Sequence, residues 1–235
     1  MLALGSALAL DSSKGIGGLG EKTLHRVLKS YCDRDITHQE VEVSGKVADV
    51  LYCGHIYEIQ RKRLDYLAPK LDAFLPEYSV TIVHPIIAKK RIRWMDRETG
   101  IVEDGRMISY HSIYDTGYEL FKIAKYLTAP GVDVIMPLLS CDEYRYLDGR
   151  GAKRRIKASR IELMPLDFLG EYELRDREDY LLFLPEWLPR DFTAEEYKRK
   201  IGSRSRYSYY CLRLLMELGL LKREKEGRAF RYYRT

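Results

Sequence analysis

Between residues 20 and 85 the hydrophobic period of this chain runs from 3.6 to 2, back to 3.6 and to 2 again, and few folds satisfy that order. Residues 21–31 place Leu24, Leu28 and Tyr31 on one helical stripe, with Val27 beside them. Residues 37–52 alternate as a strand with an internal glycine, and residues 55–60 form a second strand. Over 63–75 the helical period returns, with Leu64, Leu67, Leu71 and Phe74 on one side and Pro76 ending the run. Residues 78–83 then read as a further strand. The order α-β-β-α-β calls for a mixed sheet flanked by helices, in the α+β or α/β class.

Residues 86–175 read as an extension of that domain. A strand pair spans 91–107 around Glu98-Thr99-Gly100, a helix spans 114–127 with Leu120, Ile123, Ala124 and Leu127 inward, and 132–139 is a buried strand. Six of the eleven residues in 150–160 are Lys or Arg, a solvated loop or a mobile arm on a nucleic-acid backbone.

At 235 residues with 46% hydrophobic and 32% charged residues, the chain has the make-up of a soluble globular protein. The apolar run 2–10 is about half the ~20 residues needed to cross a bilayer and lacks the positive lead of a secretory signal. No membrane partner is expected. Cys32, Cys53, Cys141 and Cys211 are far apart with no C-x-x-C pair, which fits reduced thiols and a cytoplasmic, nucleoid-associated location. The net charge of +5 is uneven: residues 190–235 carry 13 Lys/Arg against 6 Asp/Glu, or +7, leaving −2 for the rest. A basic module on a slightly acidic body points to a polyanion contact by the tail.

If Cys53-Gly54 is a two-residue hairpin loop, Asp49 faces Glu58 across the strands and Gln60 shares their face. Facing carboxylates repel unless a cation lies between, and a hard divalent ion with oxygen ligands fits. Glu21 lies on the inward side of the first helix. These residues resemble, in order and motif over 20–85, the PD-(D/E)XK nucleases: Glu21 on the leading helix, Asp49 on one strand, Glu58-x-Gln60 on the next. The resemblance implies a restriction-endonuclease-like fold and hydrolysis of DNA phosphodiester bonds. It implies Mg²⁺ or Mn²⁺ held by Asp49, Glu58 and the Ile59 carbonyl, with Glu21 behind it or on a second metal. Ala48 replaces the family's usual Pro, and Gln60 stands where a catalytic Lys is usual. An amide orients water but brings no charge, and Lys62 shares the face if the strand continues that far. Each acid also has a plainer role open to it: Glu21 at a helix N-terminus, Asp49 in turn chemistry, Glu58 and Gln60 on the wet face of an edge strand.

Beyond residue 175 the pattern changes. A short helix at 178–184 precedes Thr193-x-x-Glu196, a capping box opening a helix that stops near Gly202. A longer helix follows Ser203, with Tyr207, Cys211, Leu214, Leu215 and Leu218 on its stripe and Gly219 as its stop. Two strands, 220–225 and 228–234, flank a turn at Glu226-Gly227. The order resembles a winged helix-turn-helix over 176–235. That implies DNA contacts from Arg204, Arg206, Ser208, Tyr209 and Arg213 on the long helix, and from Lys222, Arg223, Lys225, Arg228 and Arg231 on the hairpin.

Three segments follow: a tail at 1–19, a nuclease-like domain at 20–175 and a winged helix at 176–235. Gly15-x-Gly17-x-x-Gly20 has dinucleotide-binding spacing but no strand leads into it. The expected activity is metal-dependent DNA cleavage, and symmetric cutting would require a homodimer. The alternatives are a DNA-binding regulator on a scaffold that no longer cuts, or an interaction module without nucleic acid.

Overall fold

The computed structural model describes residues 23–96, 98–146, 159–202, 205–227 and 229–235. Glu21, Arg204, Arg228, the side chain of Arg206, the residues before 23 and most of the basic run at 150–160 lie outside the described residues.

Helix α1, Thr23–Cys32, buries the expected Leu24, Val27 and Leu28. The single strand expected at 37–52 is two: β1, Gln39–Val43, and β2, Lys46–Tyr52, joined through Ser44 and Gly45 at φ of 49° and 69°. Successive positive φ values suit a tight hairpin turn, and a serine in the first of them concealed it in the sequence. The same backbone recurs at Cys53 and Gly54, with φ of 49° and 75°, leading into β3, His55–Ile59. Here the expected register holds: Val50 faces Tyr57, Leu51 faces Ile56 and Tyr52 faces His55. A 3₁₀ turn, Leu64–Leu67, runs into α2, Ala68–Phe74, so the predicted helix is present with a tightened start. Strand β4, Ser79–Val83, then lies parallel to β3.

Strand β5, Ile86–Met95, is β4 continued. Both run parallel beside β8, Val132–Tyr146, and the register carries across the join: Val83 faces Ile135 and Ile86 faces Leu138, three residues on in each strand, before a bulge at Ala88 shifts the rest of β5 by one residue. His84 still donates its amide to Ile135 O at 2.8 Å, and Pro85 has no amide to give. The other edge changes hands at this break. β3 covers β4 and stops at Ile59; β6, Val102–Asp104, and β7, Ile108–Ser109, cover β5.

The far edge of β8 is taken by an antiparallel strand that the sequence did not reveal, β9, Ser159–Leu174. Pro165 and Gly170 interrupt its apolar pattern, and β8 itself runs seven residues past its expected end at 139. The helix expected at 114–127 is broken into a 3₁₀ turn (Ile113–Thr116), α3 (Gly117–Phe121) and another turn (Ala124–Tyr126), yet Leu120, Ile123, Ala124 and Leu127 are all buried.

The mixed sheet is thus flanked by helices. α1 packs Leu24, Val27 and Leu28 against Val50, Ile59, Val83 and Leu139 on one face. α2, α3 and the C-terminal elements cover the other. Those elements are β10 (Asp191–Thr193), α4 (Ala194–Ile201), α5 (Ser205–Glu217), β11 (Leu221–Glu226) and β12 (Ala229–Arg234), with strand order β10-β12-β11. The Thr193–Glu196 capping box forms as expected, and Gly202 and Gly219 take positive φ after their helices. Glu226 faces Ala229, so the hairpin turn sits one residue later than expected. Residues 177–183 form a 3₁₀ rather than an α-helix. The segments do not have separate cores. Tyr197, Cys211 and Leu214 belong to the same buried cluster as Phe74, Leu120 and Met136. α5 lies so close to α3 that a Cβ on Gly117 would come 2.4 Å from Cys211 Sγ.

Candidate active site

The ladder between β2 and β3 runs from the turn only to Val50 and Tyr57. One residue further, side chains take over from backbone. The Asp49 amide donates to Glu58 Oε1 at 3.3 Å, and the Ile59 amide donates to Asp49 Oδ2 at 2.7 Å. The two carboxylates meet as the hairpin geometry requires, at the point where the strands part. Both are buried, Asp49 to 8% exposure and Glu58 to 1%.

Two like charges buried together are costly. A lysine and a histidine from the flanking helices offset that cost. Lys70 Nζ, from α2, lies 2.8 Å from Glu58 Oε2, and His25 Nε2, from α1, lies 3.2 Å from Asp49 Oδ2. Burial nonetheless pushes the Glu58 carboxyl up to about 7, with the Asp49 charge adding to the rise and Lys70 opposing it. For Asp49, burial also acts upward, but the His25 hydrogen bond and charge, with the Ile59 amide, outweigh it and hold the carboxyl below its ordinary value. A carboxylate pair driven apart in this way has one member that exchanges its proton near neutral pH.

Gln60 has a different role from the one the sequence suggested. Its Nε2 donates to Lys62 O at 2.6 Å and to Arg63 O at 3.4 Å, closing the turn after β3. The Gln60 backbone carbonyl accepts from His84 Nδ1 at 2.7 Å. Lys62 does not share the strand face, because β3 ends at Ile59. The cation beside Glu58 is instead Lys70, which sequence reasoning missed although it stands three residues after Leu67 and next to Leu71, on the flank of the buried stripe. A cavity of about 300 Å³ is lined in part by His25 and Ile59, the two partners of Asp49, and by Gln60 and Arg61; neither Asp49 nor Glu58 lines it. Among the described residues no three His, Cys, Asp or Glu side chains cluster as metal ligands; the pair offers two, and Glu21 is not among the residues described.

On the C-terminal elements, Lys222, Arg223 and Lys225 are exposed along β11 and Tyr209 is exposed on α5. Arg213 is exposed with its guanidinium 4.5 Å from the Phe121 ring centre. Ser208 is a correction. It is buried, because it lies three and four residues before Cys211 and Leu212 on the packed stripe. Arg231 is another, since it is held by Asp191 at 3.0 Å and Glu226 at 3.4 Å instead of facing solvent freely. The sequence also gave no warning of an ion ladder between β5 and β8, with Lys90 on Glu143 at 3.0 Å and both Arg91 and Arg93 on Asp142, at 2.8 and 2.7 Å.

Residues 22–175 match the model of a family described as a domain of unknown function, DUF8091. The chain belongs to this family. The DUF8091 region holds the whole large sheet, α1 to α3 and the acid pair, and stops where the C-terminal elements start. A protein of Treponema pallidum (strain Nichols), described as uncharacterized, is 26% identical over 221 residues, which cover 90% of this chain and 84% of that protein. That similarity therefore runs beyond the DUF8091 region. No solved structure matches the chain.

Proposed function

We propose that this DUF8091 protein hydrolyses DNA phosphodiester bonds at the Asp49–Glu58 pair with a divalent cation, and that its C-terminal elements carry the DNA. The observation behind the first part is the pair itself. Two buried carboxylates face each other where a hairpin opens, one of them titrating at about 7, and the two partners of Asp49, His25 and Ile59, line a cavity edged by Arg61 and Lys62. Their oxygens, with the Ile59 carbonyl next in the chain, are the hard donors that suit Mg²⁺ or Mn²⁺. When bound, such an ion would polarise the phosphate and lower the pKa of the attacking water. Asp49 and Glu58 would hold it, Glu58 completing its charge as its carboxyl loses a proton. Lys70 Nζ fixes Glu58 Oε2 and supplies the positive charge that Gln60 lacks.

Support for the second part is the order strand, helix, helix, hairpin with strands β10-β12-β11, which resembles a winged helix-turn-helix. Tyr209, Arg213, Lys222, Arg223 and Lys225 are exposed on it, and Arg204, Arg206 and Arg228 add charge. Supercoiled plasmid incubated with Mg²⁺ or Mn²⁺ should be nicked or linearised, and EDTA should stop it. Asp49→Asn and Glu58→Gln should abolish cleavage with the far-ultraviolet circular dichroism unchanged. Cleavage that persists in EDTA or in both variants rejects the site. A second reading rests on the partners of the acids: with Lys70 on Glu58 and His25 on Asp49 already satisfying them, the pair serves as a structural element of a DNA-binding regulator. Undetectable cleavage together with unaltered DNA binding in Asp49→Asn would favour it.

A further inference from the structure

Near the end of β8 and the start of β9, two arginines stand directly across the ladder from each other, Arg145 facing Arg160. Like charges so placed destabilise a sheet unless something negative answers both. The acid they share is Glu143, and it is oversubscribed. Lys90 Nζ donates to its Oε2 at 3.0 Å and Arg145 Nε to its Oε1 at 2.6 Å, while Arg160 comes no nearer to that oxygen than 3.5 Å. Lys90 and Arg145 are buried with Glu143, their side chains 6% and 15% exposed, and Lys90 also lies over the Tyr110 ring. Arg160 is left at the surface, 44% exposed. Other acids at this end of the sheet are committed elsewhere. Asp142 holds Arg91 and Arg93, and Glu162 accepts from the Thr23 amide at 3.1 Å.

Two further cations approach Arg160 from the turn after β3. Among the described residues neither Arg61 nor Lys62 has a side-chain hydrogen-bond or ion-pair partner. Burial and then Arg160 pull the Arg61 guanidinium below its ordinary value, with Glu143 opposing them, and burial, Arg61 and Arg160 do the same to the Lys62 ammonium. Three cations therefore feel one another around a carboxylate that two others already hold. A half-buried guanidinium without a carboxylate is costly unless an anion completes it. Arg61 and Lys62 also line the cavity that His25 and Ile59, the partners of Asp49, line from the other side of the pair. The unanswered positive charge thus adjoins the acid pair.

We propose that Arg61, Lys62 and Arg160 seat one backbone phosphate of a DNA strand, while Lys90 and Arg145 keep Glu143 from competing for them. A phosphate group accepts from guanidinium forks that arrive from different elements, here a turn and β9. The inference rests on the DNA-directed reading above for the identity of the strand. The phosphate held here is then a neighbour of the one brought to Asp49 and Glu58, and the strand runs from the acid pair toward the start of β9. This contact belongs to the large sheet and adds to any made by the C-terminal elements.

The test is fluorescence anisotropy of a labelled thymidine octanucleotide with the full-length protein in EDTA, over a range of salt, with inorganic phosphate as a separate competitor. Arg61→Ala and Arg160→Ala should each weaken binding about tenfold, the loss of a charge-assisted contact, and flatten the slope of log affinity against log salt by about 0.7. Arg175→Ala removes an arginine that is 67% exposed and paired with Glu173, so it should do neither and controls for net charge. Arg160→Ala, at the more exposed position, gives an independent measure should Arg61→Ala fold poorly. Binding is read without metal, so an absence of cleavage counts against the acid pair and not against this site. Conversely, plasmid cleavage with Arg61→Ala and Arg160→Ala binding no worse than Arg175→Ala overturns this proposal and leaves the cleavage reading standing. Inorganic phosphate that binds in an Arg160-dependent way without displacing the octanucleotide also overturns it, since the site would then serve free phosphate.

Discussion

Replacing Lys70 with methionine should destabilise the protein by an amount that depends on pH. Among the described residues Lys70 is the one cation within hydrogen-bond distance of Glu58, at 2.8 Å, and its side chain is 28% exposed against 1% for Glu58. Breaking a fully buried pair costs about 3–5 kcal/mol, and the partial exposure of Lys70 reduces that to about 2–3 kcal/mol where Glu58 is ionised. The folded Glu58 carboxyl, at about 7, holds its proton more tightly than the unfolded one at 4.5. Its contribution to stability is therefore complete below pH 4.5 and is lost as pH rises through 7. At pH 5.5 folded Glu58 is already protonated, so removing Lys70 forfeits packing and one neutral contact, below about 1 kcal/mol. At pH 8.5 the carboxylate stands beside Asp49 with no ammonium, and the full loss applies. Urea unfolding at the two pH values, wild type against Lys70→Met, measures the difference directly. Equal losses at both pH values, or a larger loss at pH 5.5, would refute the idea that Lys70 balances a titrating carboxylate.

Gly117→Ala should lower stability by about 1–3 kcal/mol, because the new methyl meets Cys211 Sγ at 2.4 Å and Cys211 backbone at 3.1 Å; thermal melts check it. Arg231→Ala should change DNA affinity much less than Lys222→Ala or Arg223→Ala, since Arg231 is already paired with Asp191; gel shifts over a range of salt would show a smaller slope only for the latter two. Divalent-cation affinity should fall as pH drops below about 7, where Glu58 regains its proton, and titration of Mn²⁺ at pH 6 and pH 8 reads this out. Gln60→Lys should leave plasmid cleavage near the wild-type rate, because its amide serves the turn while Lys70 provides the charge; side-by-side rates decide it.

Local signals carried the sequence reading as far as local physics reaches. Period and turn chemistry were enough to place α1, the β2–β3 hairpin, α2 and the Thr193 helix, because each depends on neighbours a few residues away. The hairpin register then brought Asp49 to Glu58 before any tertiary contact was considered. What escaped is non-local. The Lys70 and His25 partnerships depend on how two helices dock on opposite faces of the sheet. The burial of Cys211 depends on α3 approaching α5 at a glycine. β9 borrows its regularity from β8, against which Pro165 and Gly170 are tolerated, and no window of its own sequence announces a strand.

The break at Pro85 has a consequence for how the molecule comes apart. Because β4 and the start of β5 share one register against β8, neither can slip without reversing the side-chain faces of the other, and both must detach together. Amides of β8 beside β4 and beside β5 should therefore exchange with solvent at one common rate, through a single opening. β3 with the hairpin strands beyond it, and β7 at the other end, are held to different stretches of the same backbone and are free to open independently. A cavity of about 250 Å³ that Pro85 lines would then widen without loosening the core behind it.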